Sequence, residues 1–205
     1  TDVGVYYNED GMDCWVRYGD IPNVRVTELE VNRCSGKLVA ATYGRGVWQV
    51  DMLPMNTALE HFKVVDSDVV WEGDTYVHGN VRVVNEARLT VIGTVHFPKG
   101  GSLIIEPGAQ LIVNGGTLTN SCGEYWGGVQ VWGNSAMNQS GGFVGGQYRP
   151  TLHQGYLELR NGGVIENALV GAMLNNPLAD DASGGVIRMV NGTVRNCQQG
   201  VVIAD

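Results

Sequence analysis

Short apolar runs alternate with Gly- and Asn-rich turns along most of the chain. From residue 69 onward almost no segment repeats its apolar residues at the 3.6-residue period of a helix. Each run is only a few residues long and ends at Gly or Asn, which is typical of strands joined by tight turns. The pattern therefore predicts an all-β protein with many short strands.

One stretch of sequence recurs three times in this region, beginning at residues 111, 157 and 187. Each copy contains an apolar strand, an Asn-Gly turn, a second short strand ending at Asn, and then a Gly followed by a third strand. Three strands in a repeat of about twenty residues predict a right-handed parallel β-helix, in which equivalent residues stack along the axis. A two-sheet jelly roll and an antiparallel barrel are the competing folds. Stacked asparagines can hydrogen-bond to one another. The asparagines that end the second strand are Asn120, Asn167 and Asn196.

A differently patterned region precedes the repeats. Residues 1–52 contain about four or five short runs separated by turns, which predicts an antiparallel β-meander. Residues 53–62 interrupt both patterns and predict a linker, and residues 63–205 then form the β-helix. Because a strand pattern runs through residues 201–205, we expect the chain to be a piece of a longer polypeptide, with the β-helix truncated at its C-terminal end.

Composition excludes several functions. With 43% hydrophobic and 17% charged residues, the chain has the composition of a folded protein rather than a disordered one. Its 13 basic and 21 acidic residues give a net charge of −8, which repels nucleic acid and anionic lipid. No apolar run approaches the roughly 18 residues of a membrane-spanning helix. We therefore expect no nucleic-acid partner and no membrane span.

The cysteines and histidines do not have metal-site spacing. No CxxC, HxH or HExxH motif is present, so the sequence predicts no metal site. Cys14 and Cys34 lie in the same predicted sheet and could pair, although free, buried thiols are the favoured interpretation. The four cysteines are Cys14, Cys34, Cys122 and Cys197.

The N-terminal region contains a degenerate turn motif. Asn8-x-Asp10-x-Met12-x-x-Trp15 is in register with S-x-D-x-G-x-x-W, the Asp-box of sialidase-like and sortilin-like β-propellers, and residues 21–48 resemble the closing blade of such a propeller. The resemblance implies structural roles: Asp10 accepts backbone hydrogen bonds in a turn, and Trp15 packs between blades. The catalytic residues of sialidases have no counterpart here. A single blade cannot bury both of its faces, so it needs neighbours.

Within residues 81–134 the chain contains Leu-Thr-Val-x-Gly-Thr-Val-x-Phe, Glu-Pro-Gly-Ala-x-Leu and Trp-Gly-Gly-Val-Gln-Val-Trp. These stretches are similar to β-helix segments of large secreted Bacteroidetes proteins that are commonly described as pectinase-like, many of which leave the cell by the type IX route. The resemblance implies a secreted or cell-surface protein whose partners include other domains of its parent. It is specific for fold and does not select an activity.

Catalysis on such a fold requires residues that this sequence supplies only in part. Polygalacturonase-like enzymes carry Asn-Thr-Asp, Asp-Asp, Gly-His-Gly and Arg-Ile-Lys motifs, and only Asp180-Asp181 is present, in a predicted loop without the His or a basic partner. These two are the nearest catalytic candidates, and a solvated acidic loop is the alternative. A pectate lyase site would need Ca²⁺ held by several acidic oxygens and an Arg base. The residues of the right types are Glu158, Arg160, Glu166 and Arg188. Cross-strand ion pairs are the more common explanation for such residues.

The sequence supports sugar binding better than sugar cleavage. Tyr125, Trp126 and Trp132 fall in one short stretch, and flat aromatic rings stack on pyranose rings; core packing is the alternative for both tryptophans. Tyr148 and His153 are further candidates in a long loop. We therefore expect an extracellular structural or adhesion module that contacts polysaccharide without cleaving it and needs no cofactor. The alternative is a polysaccharide-degrading enzyme, with Ca²⁺ if it resembles a lyase.

Overall fold

A computed structural model describes residues 3–8, 13–52, 62–175 and 183–203. The regular structure of these residues is entirely β-strand, with no helix. The chain divides into two compact units, residues 1–56 and 57–205, and this division lies inside the segment predicted as a linker. In the described part of the chain, no helix has the length and apolar character needed to cross a membrane.

The first unit contains two antiparallel sheets. Its strands are β1 (Tyr6–Tyr7), β2 (Val16–Arg17), β3 (Val26–Asn32), β4 (Lys37–Thr42) and β5 (Gly46–Asp51). Strands β1 and β2 form one sheet, and β3, β4 and β5 form the other in that order. Among the described residues of this unit, the buried hydrophobic cluster consists of Val5, Ile21 and Ala40. Many of its larger apolar side chains are exposed.

The second unit contains three parallel sheets and one antiparallel hairpin. The first sheet consists of β7 (Val69–Trp71), β10 (Arg88–Val91), β13 (Gln110–Asn114), β18 (Tyr156–Arg160) and β21 (Val186–Val190). The second sheet consists of β8 (Asp74–Tyr76), β11 (Thr94–His96), β14 (Thr117–Thr119), β19 (Val164–Glu166) and β22 (Thr193–Arg195). The third sheet consists of β6 (Phe62–Val65), β9 (Asn80–Val83), β12 (Ser102–Ile105), β15 (Trp126–Val131), β20 (Ala168–Leu174) and β23 (Gln199–Ile203). The hairpin consists of β16 (Gly142–Val144) and β17 (Gln147–Arg149).

Each repeat adds one strand to each of the three sheets, and each strand pairs in parallel with the strand one repeat later. Leu111 pairs with Leu157, which in turn pairs with Ile187. This is the register in which the repeats align by sequence. Because a slip of one residue would turn the apolar side chains of a strand away from the core, the repeated apolar positions fix the register.

The inward side chains of all three sheets form a single hydrophobic cluster. Leu111, Leu157 and Leu159 are 0% exposed, as are Val91 and Val113 of the first sheet. Full burial of one such side chain stabilises the fold by roughly 1.5–3 kcal/mol. The outward side chains of the same strands are mostly polar, so any functional site of this unit lies on an outer face or in a loop.

The long loop that carries the hairpin is fixed at its base by a buried glutamine. Gln154 is 0% exposed. Its Nε2 donates a 2.7 Å hydrogen bond to the carbonyl oxygen of Asn134, and its Oε1 accepts a 2.7 Å hydrogen bond from the backbone N–H of Gly185. The side chain of Gln154, at the end of this loop, is thus bonded both to Asn134 at the beginning of the loop and to Gly185 at the start of the next repeat. This arrangement anchors the hairpin beside the first sheet.

Candidate functional site

A groove of about 600 Å³ lies on the outer face of the second sheet, and we call it the second-sheet groove. Strands β11, β14 and β19 and the loop 120–125 supply its lining. Because side chains alternate along a strand, the residues between the lining residues point into the core. Hydroxyl and amide side chains dominate the lining, and they include Thr94, Thr117, Thr119, Asn120, Asn167 and Asn196.

Three asparagines border this groove where the second sheet turns into the third. Asn196 donates a hydrogen bond from Nδ2 to Oδ1 of Asn167. Asn167 donates from Nδ2 to Oγ1 of Thr119 at 2.9 Å and to the carbonyl oxygen of Asn120 at 3.3 Å. Asn167 and Asn196 have φ of 58° and 49°, a left-handed conformation that Asn tolerates. The expected contact between stacked side-chain amides is therefore present between Asn196 and Asn167. Asn167 contacts Asn120 through the backbone carbonyl oxygen of Asn120 instead.

The loop 120–125 is held over the groove by the first of these asparagines. Asn120 is 3% exposed and donates from Nδ2 to the carbonyl oxygen of Phe97 at 2.9 Å. Its Oδ1 accepts hydrogen bonds from the backbone N–H groups of Cys122 at 2.8 Å and Glu124 at 3.3 Å. A buried side chain therefore determines where the exposed Ser121 lies. The loop ends at Tyr125, whose ring borders the groove.

Two carboxylates border the groove, and each is bound to a basic side chain. Glu166 accepts a 2.7 Å bond from Nε of Arg195 and a 3.2 Å bond from the hydroxyl of Thr119. Glu124 lies 2.9 Å from Nζ of Lys99. The groove thus presents mainly neutral hydrogen-bonding groups, with its negative charges compensated.

The aromatic candidates separate into different environments. Tyr125 lines the groove and is 36% exposed. Trp126 is 0% exposed, stacks on Phe97 with 4.3 Å between ring centroids, and donates from Nε1 to the carbonyl oxygen of Glu166 at 2.8 Å. The prediction of a sugar-binding role for Trp126 is therefore wrong, because its ring belongs to the core. Trp132 is half-buried and does not line the groove.

The outer face of the first sheet forms a smaller cleft with the hairpin. This hairpin cleft has a volume of about 110 Å³ and is lined by basic and aromatic residues that include Arg88, Arg160, Arg188 and Tyr148. Arg188 is ion-paired with the buried Glu158, and Nη1 of Arg160 lies 3.9 Å from the same carboxylate. Of the residues considered for a lyase site, Glu158 and Arg188 therefore form a cross-strand ion pair here, and Glu166 is ion-paired with Arg195 at the second-sheet groove. Tyr148 stacks on Tyr156 with 4.5 Å between ring centroids.

The burial of Tyr156 predicts a pH dependence of stability. Burial, with a smaller contribution from neighbouring Glu158, raises the pKa of Tyr156 above its ordinary value of 10.0. The unfolded chain then releases this proton at lower pH than the folded chain does, so the free energy of unfolding should fall as pH rises through about 10. Urea unfolding between about pH 9 and pH 11 would measure the slope. Tyr156→Phe should flatten it, and an unchanged slope in this variant would contradict the assignment.

The other candidates from the sequence either lie outside the described residues or do not line either site. Asp10, Asp180 and Asp181 lie outside the described residues. Trp15 is 69% exposed, so the packing contact that the propeller resemblance implies for it is not made within the described chain. His153 is exposed in the long loop. Among residues 3–8, 13–52, 62–175 and 183–203, no three His, Cys, Asp or Glu side chains are grouped in a way that could hold a metal ion.

The bonding states of the cysteines differ from both interpretations of the sequence. Cys14 and Cys197 are free thiols, and Cys14 is exposed rather than buried. Cys34 and Cys122 are disulfide-bonded. The possible pair of Cys14 with Cys34 is therefore not formed, and the expectation of four free, buried thiols is also wrong. Burial raises the pKa of the Cys197 thiol, which makes it a weak nucleophile.

Comparison with known proteins adds no assignment: no protein-family model, no curated protein and no solved structure matches the chain. The functional argument therefore depends on the second-sheet groove and the hairpin cleft themselves.

Proposed function

We propose that this chain is an extracellular structural or adhesion module that binds polysaccharide in the second-sheet groove and leaves the glycosidic bonds intact. The observation that carries the proposal is the groove itself. Its volume of about 600 Å³ falls within the range of roughly 300–1,000 Å³ that is usual for ligand sites. Its hydroxyl and amide groups can both donate and accept hydrogen bonds, as sugar hydroxyls do. Tyr125 adds an accessible ring at the border for stacking.

The proposed scaffold is a right-handed parallel β-helix. Three parallel sheets, each receiving one strand per repeat, are the arrangement that successive turns of such a helix produce. The right hand is proposed because connections between parallel strands are almost always right-handed. On this scaffold the threonines and asparagines of the groove recur at fixed positions, which suits a ligand that is itself a repeating polymer.

The charges at the groove favour binding over glycoside hydrolysis. That reaction needs a carboxylic acid that holds a proton and a second carboxylate that acts as base or nucleophile. Glu124 and Glu166 are each ion-paired, with Lys99 and Arg195, so neither carboxylate borders the groove without a basic partner. The polysaccharide-degrading alternative is distinguished experimentally by the appearance of new reducing ends.

A secreted location is supported by cysteine chemistry. Disulfides such as those of Cys34 and Cys122 persist in oxidising, extracellular environments. In the first unit, Tyr43 and Val47 are more than two-thirds exposed, at 76% and 71%. Such side chains suit contact with the neighbouring domains of a parent protein, as the resemblance to a propeller blade implies.

Retention of the chain in native gels that contain neutral or acidic polysaccharides would test the proposal. We expect at least one polysaccharide to retard the chain, and Tyr125→Ala to weaken that binding about two- to tenfold, since an aromatic contact contributes roughly 0.5–1.5 kcal/mol. Tyr43→Ala, which removes an exposed ring from the first unit, is the matched control and should bind normally. Unretarded migration on every polysaccharide would contradict the binding function. New reducing ends in the incubated polysaccharide would instead favour the degrading enzyme.

A further inference from the structure

Three side chains of different strands and loops meet at one end of the second-sheet groove. The hydroxyl oxygen of Ser121 is in hydrogen-bond contact with Nδ1 of His96, although the two residues are 25 positions apart in the chain. Nε2 of the same imidazole lies 3.6 Å from Oδ1 of Asp74. The hydroxyl, the imidazole and the carboxylate therefore follow one another in the order that an activated serine nucleophile requires. Ser121 and His96 both line the groove.

The imidazole is held in one plane, and its two nitrogens face different groups. Tyr76 stacks on His96 with 4.3 Å between ring centroids and 12° between ring planes. Strands β8 and β11 pair in parallel, with His96 opposite Tyr76 and Thr94 opposite Asp74. Because Nε2 faces a carboxylate, the tautomer with its proton on Nε2 is favoured. Nδ1 then carries the lone pair that can accept the proton of Ser121.

The gap between His96 and Asp74 is consistent with an unliganded site. Within the part of the chain that the structure describes, Nε2 of His96 is buried without a hydrogen-bond partner. The carboxylate at 3.6 Å is therefore a nearby ionic group rather than a completed hydrogen bond. Catalytic hydrogen bonds are often long in free enzymes and shorten when substrate binds. The side chain of Asp74 is 71% exposed and can move toward the ring.

Backbone donors are available beside the serine. In the described ranges, the backbone N–H groups of Ser121 and Gly123 form no hydrogen bond. The neighbouring N–H groups of Cys122 and Glu124 are both bound to Asn120, which keeps the loop in one conformation. Fixed, unused N–H groups next to a nucleophile are the groups that stabilise the oxyanion of acyl transfer.

We propose that Ser121 is the nucleophile of a carboxylic-ester hydrolase that removes O-acyl groups from the ligand bound in the groove. Oγ of Ser121 attacks the ester carbonyl carbon while Nδ1 of His96 takes the hydroxyl proton. The tetrahedral intermediate then breaks its bond to the sugar oxygen, which leaves with the proton from His96. Water, deprotonated by Nδ1 of His96, attacks the carbonyl carbon of the acyl-serine. The second tetrahedral intermediate breaks its bond to Oγ of Ser121, which takes back the proton from His96, and the carboxylic acid is released. Asp74 is a positioning residue that orients the imidazole.

This reaction is compatible with the proposed function, because it cuts a side group and leaves the glycan chain whole. Its natural substrate class depends on polysaccharide binding in the groove, whereas its chemistry does not. A small acyl ester such as p-nitrophenyl acetate can reach the exposed Ser121 without any polysaccharide. The two proposals can therefore fail separately.

The test uses the full chain with p-nitrophenyl acetate and with a fluorophosphonate probe that modifies activated serines. We expect hydrolysis above the solution rate and a single adduct, which peptide mass spectrometry locates at Ser121. Ser121→Ala should abolish the adduct and lower kcat/KM at least about 100-fold, and His96→Gln should do the same, since general base catalysis contributes roughly 10²–10⁴. Asp74→Asn should lower kcat with little change in KM, which is a pattern that a purely structural role would not produce.

Ser35→Ala is the matched control, because Ser35 is an exposed serine of the first unit. It should label and hydrolyse like the wild type. Ser121→Ala should also keep the wild-type circular dichroism spectrum, which separates loss of chemistry from loss of fold. Absence of both hydrolysis and labelling in the wild type would overturn the hydrolase, as would a wild-type rate in Ser121→Ala. If the chain hydrolyses the ester but no polysaccharide retards it, the result would support the hydrolase and contradict only the proposal of polysaccharide binding.

Discussion

Trp126→Ala should lower the free energy of unfolding by about 3–5 kcal/mol, which is the range for truncating a fully buried aromatic side chain. The indole is 0% exposed and packs face to face against Phe97. Its removal leaves a cavity in the hydrophobic cluster between the three sheets. It also leaves the carbonyl oxygen of Glu166 without the 2.8 Å hydrogen bond that Nε1 donates. Urea denaturation followed by circular dichroism would measure the change.

Trp132→Ala is the matched control, because the same side chain is removed from a half-buried position. Trp132 donates from Nε1 to Oε1 of Gln130 at 3.1 Å, and the guanidinium of Arg82 lies 5.4 Å from its ring centroid. An exposed contact of this kind contributes roughly 0.5–1 kcal/mol, so we expect a loss of about that size. Equal losses in the two variants would show that Trp126 does not occupy the core position described above.

The opposite environments of these two tryptophans explain one failure of sequence reasoning. They lie an even number of residues apart, so a regular strand would place both on the same face. In the third sheet, however, the pairing of β15 with β20 shifts between Gly128 and Val129. Trp126 consequently shares the core with Val129, while Trp132 remains half-buried. A shift of this kind follows from local backbone geometry, and the Gly-Gly in the sequence does not reveal where it occurs.

The parts of the fold that repeat are the parts that the sequence predicts best. The alignment of the three copies places Leu111, Leu157 and Ile187 at equivalent positions, and these residues pair in the parallel sheet. The alignment also brings together the asparagines at the border of the second-sheet groove. Repetition supplies this information because each copy constrains its neighbours through the same pairing register.

The candidate chemistry was missed because its nucleophile lies in a segment that occurs only once. Ser121 belongs to a loop that has no equivalent in the other repeats, and no spacing rule connects it with His96. The hairpin that brings Tyr148 onto Tyr156 is likewise a single excursion from the sheets. Such loops are positioned by individual buried polar side chains, here Asn120 and Gln154, whose partners are distant in sequence. Only the folded arrangement reveals these contacts.

The shift at Gly128 itself predicts a second large loss of stability. Gly128 has a φ of 101°, and a Cβ added there would lie 1.6 Å from the carbonyl oxygen of Val170 on the adjacent strand. Gly128→Ala therefore combines a conformation that L-residues avoid, at about 1–3 kcal/mol, with overpacking against backbone, at about 1–3 kcal/mol. We expect the free energy of unfolding to fall by about 2–6 kcal/mol, measured by urea denaturation.

Gly200→Ala provides the control, because Gly200 lies in β23 of the same sheet and a Cβ added there would have no atom within 4 Å. We expect its stability to stay within about 0.5 kcal/mol of wild type, as for an unobstructed surface change. The emission of Trp126 adds a second readout: if the local geometry at Gly128 holds the indole in the core, Gly128→Ala should shift tryptophan fluorescence to longer wavelength, and Gly200→Ala should not. Wild-type stability and emission in Gly128→Ala would mean that the pairing shift between β15 and β20 does not set the face on which Trp126 lies.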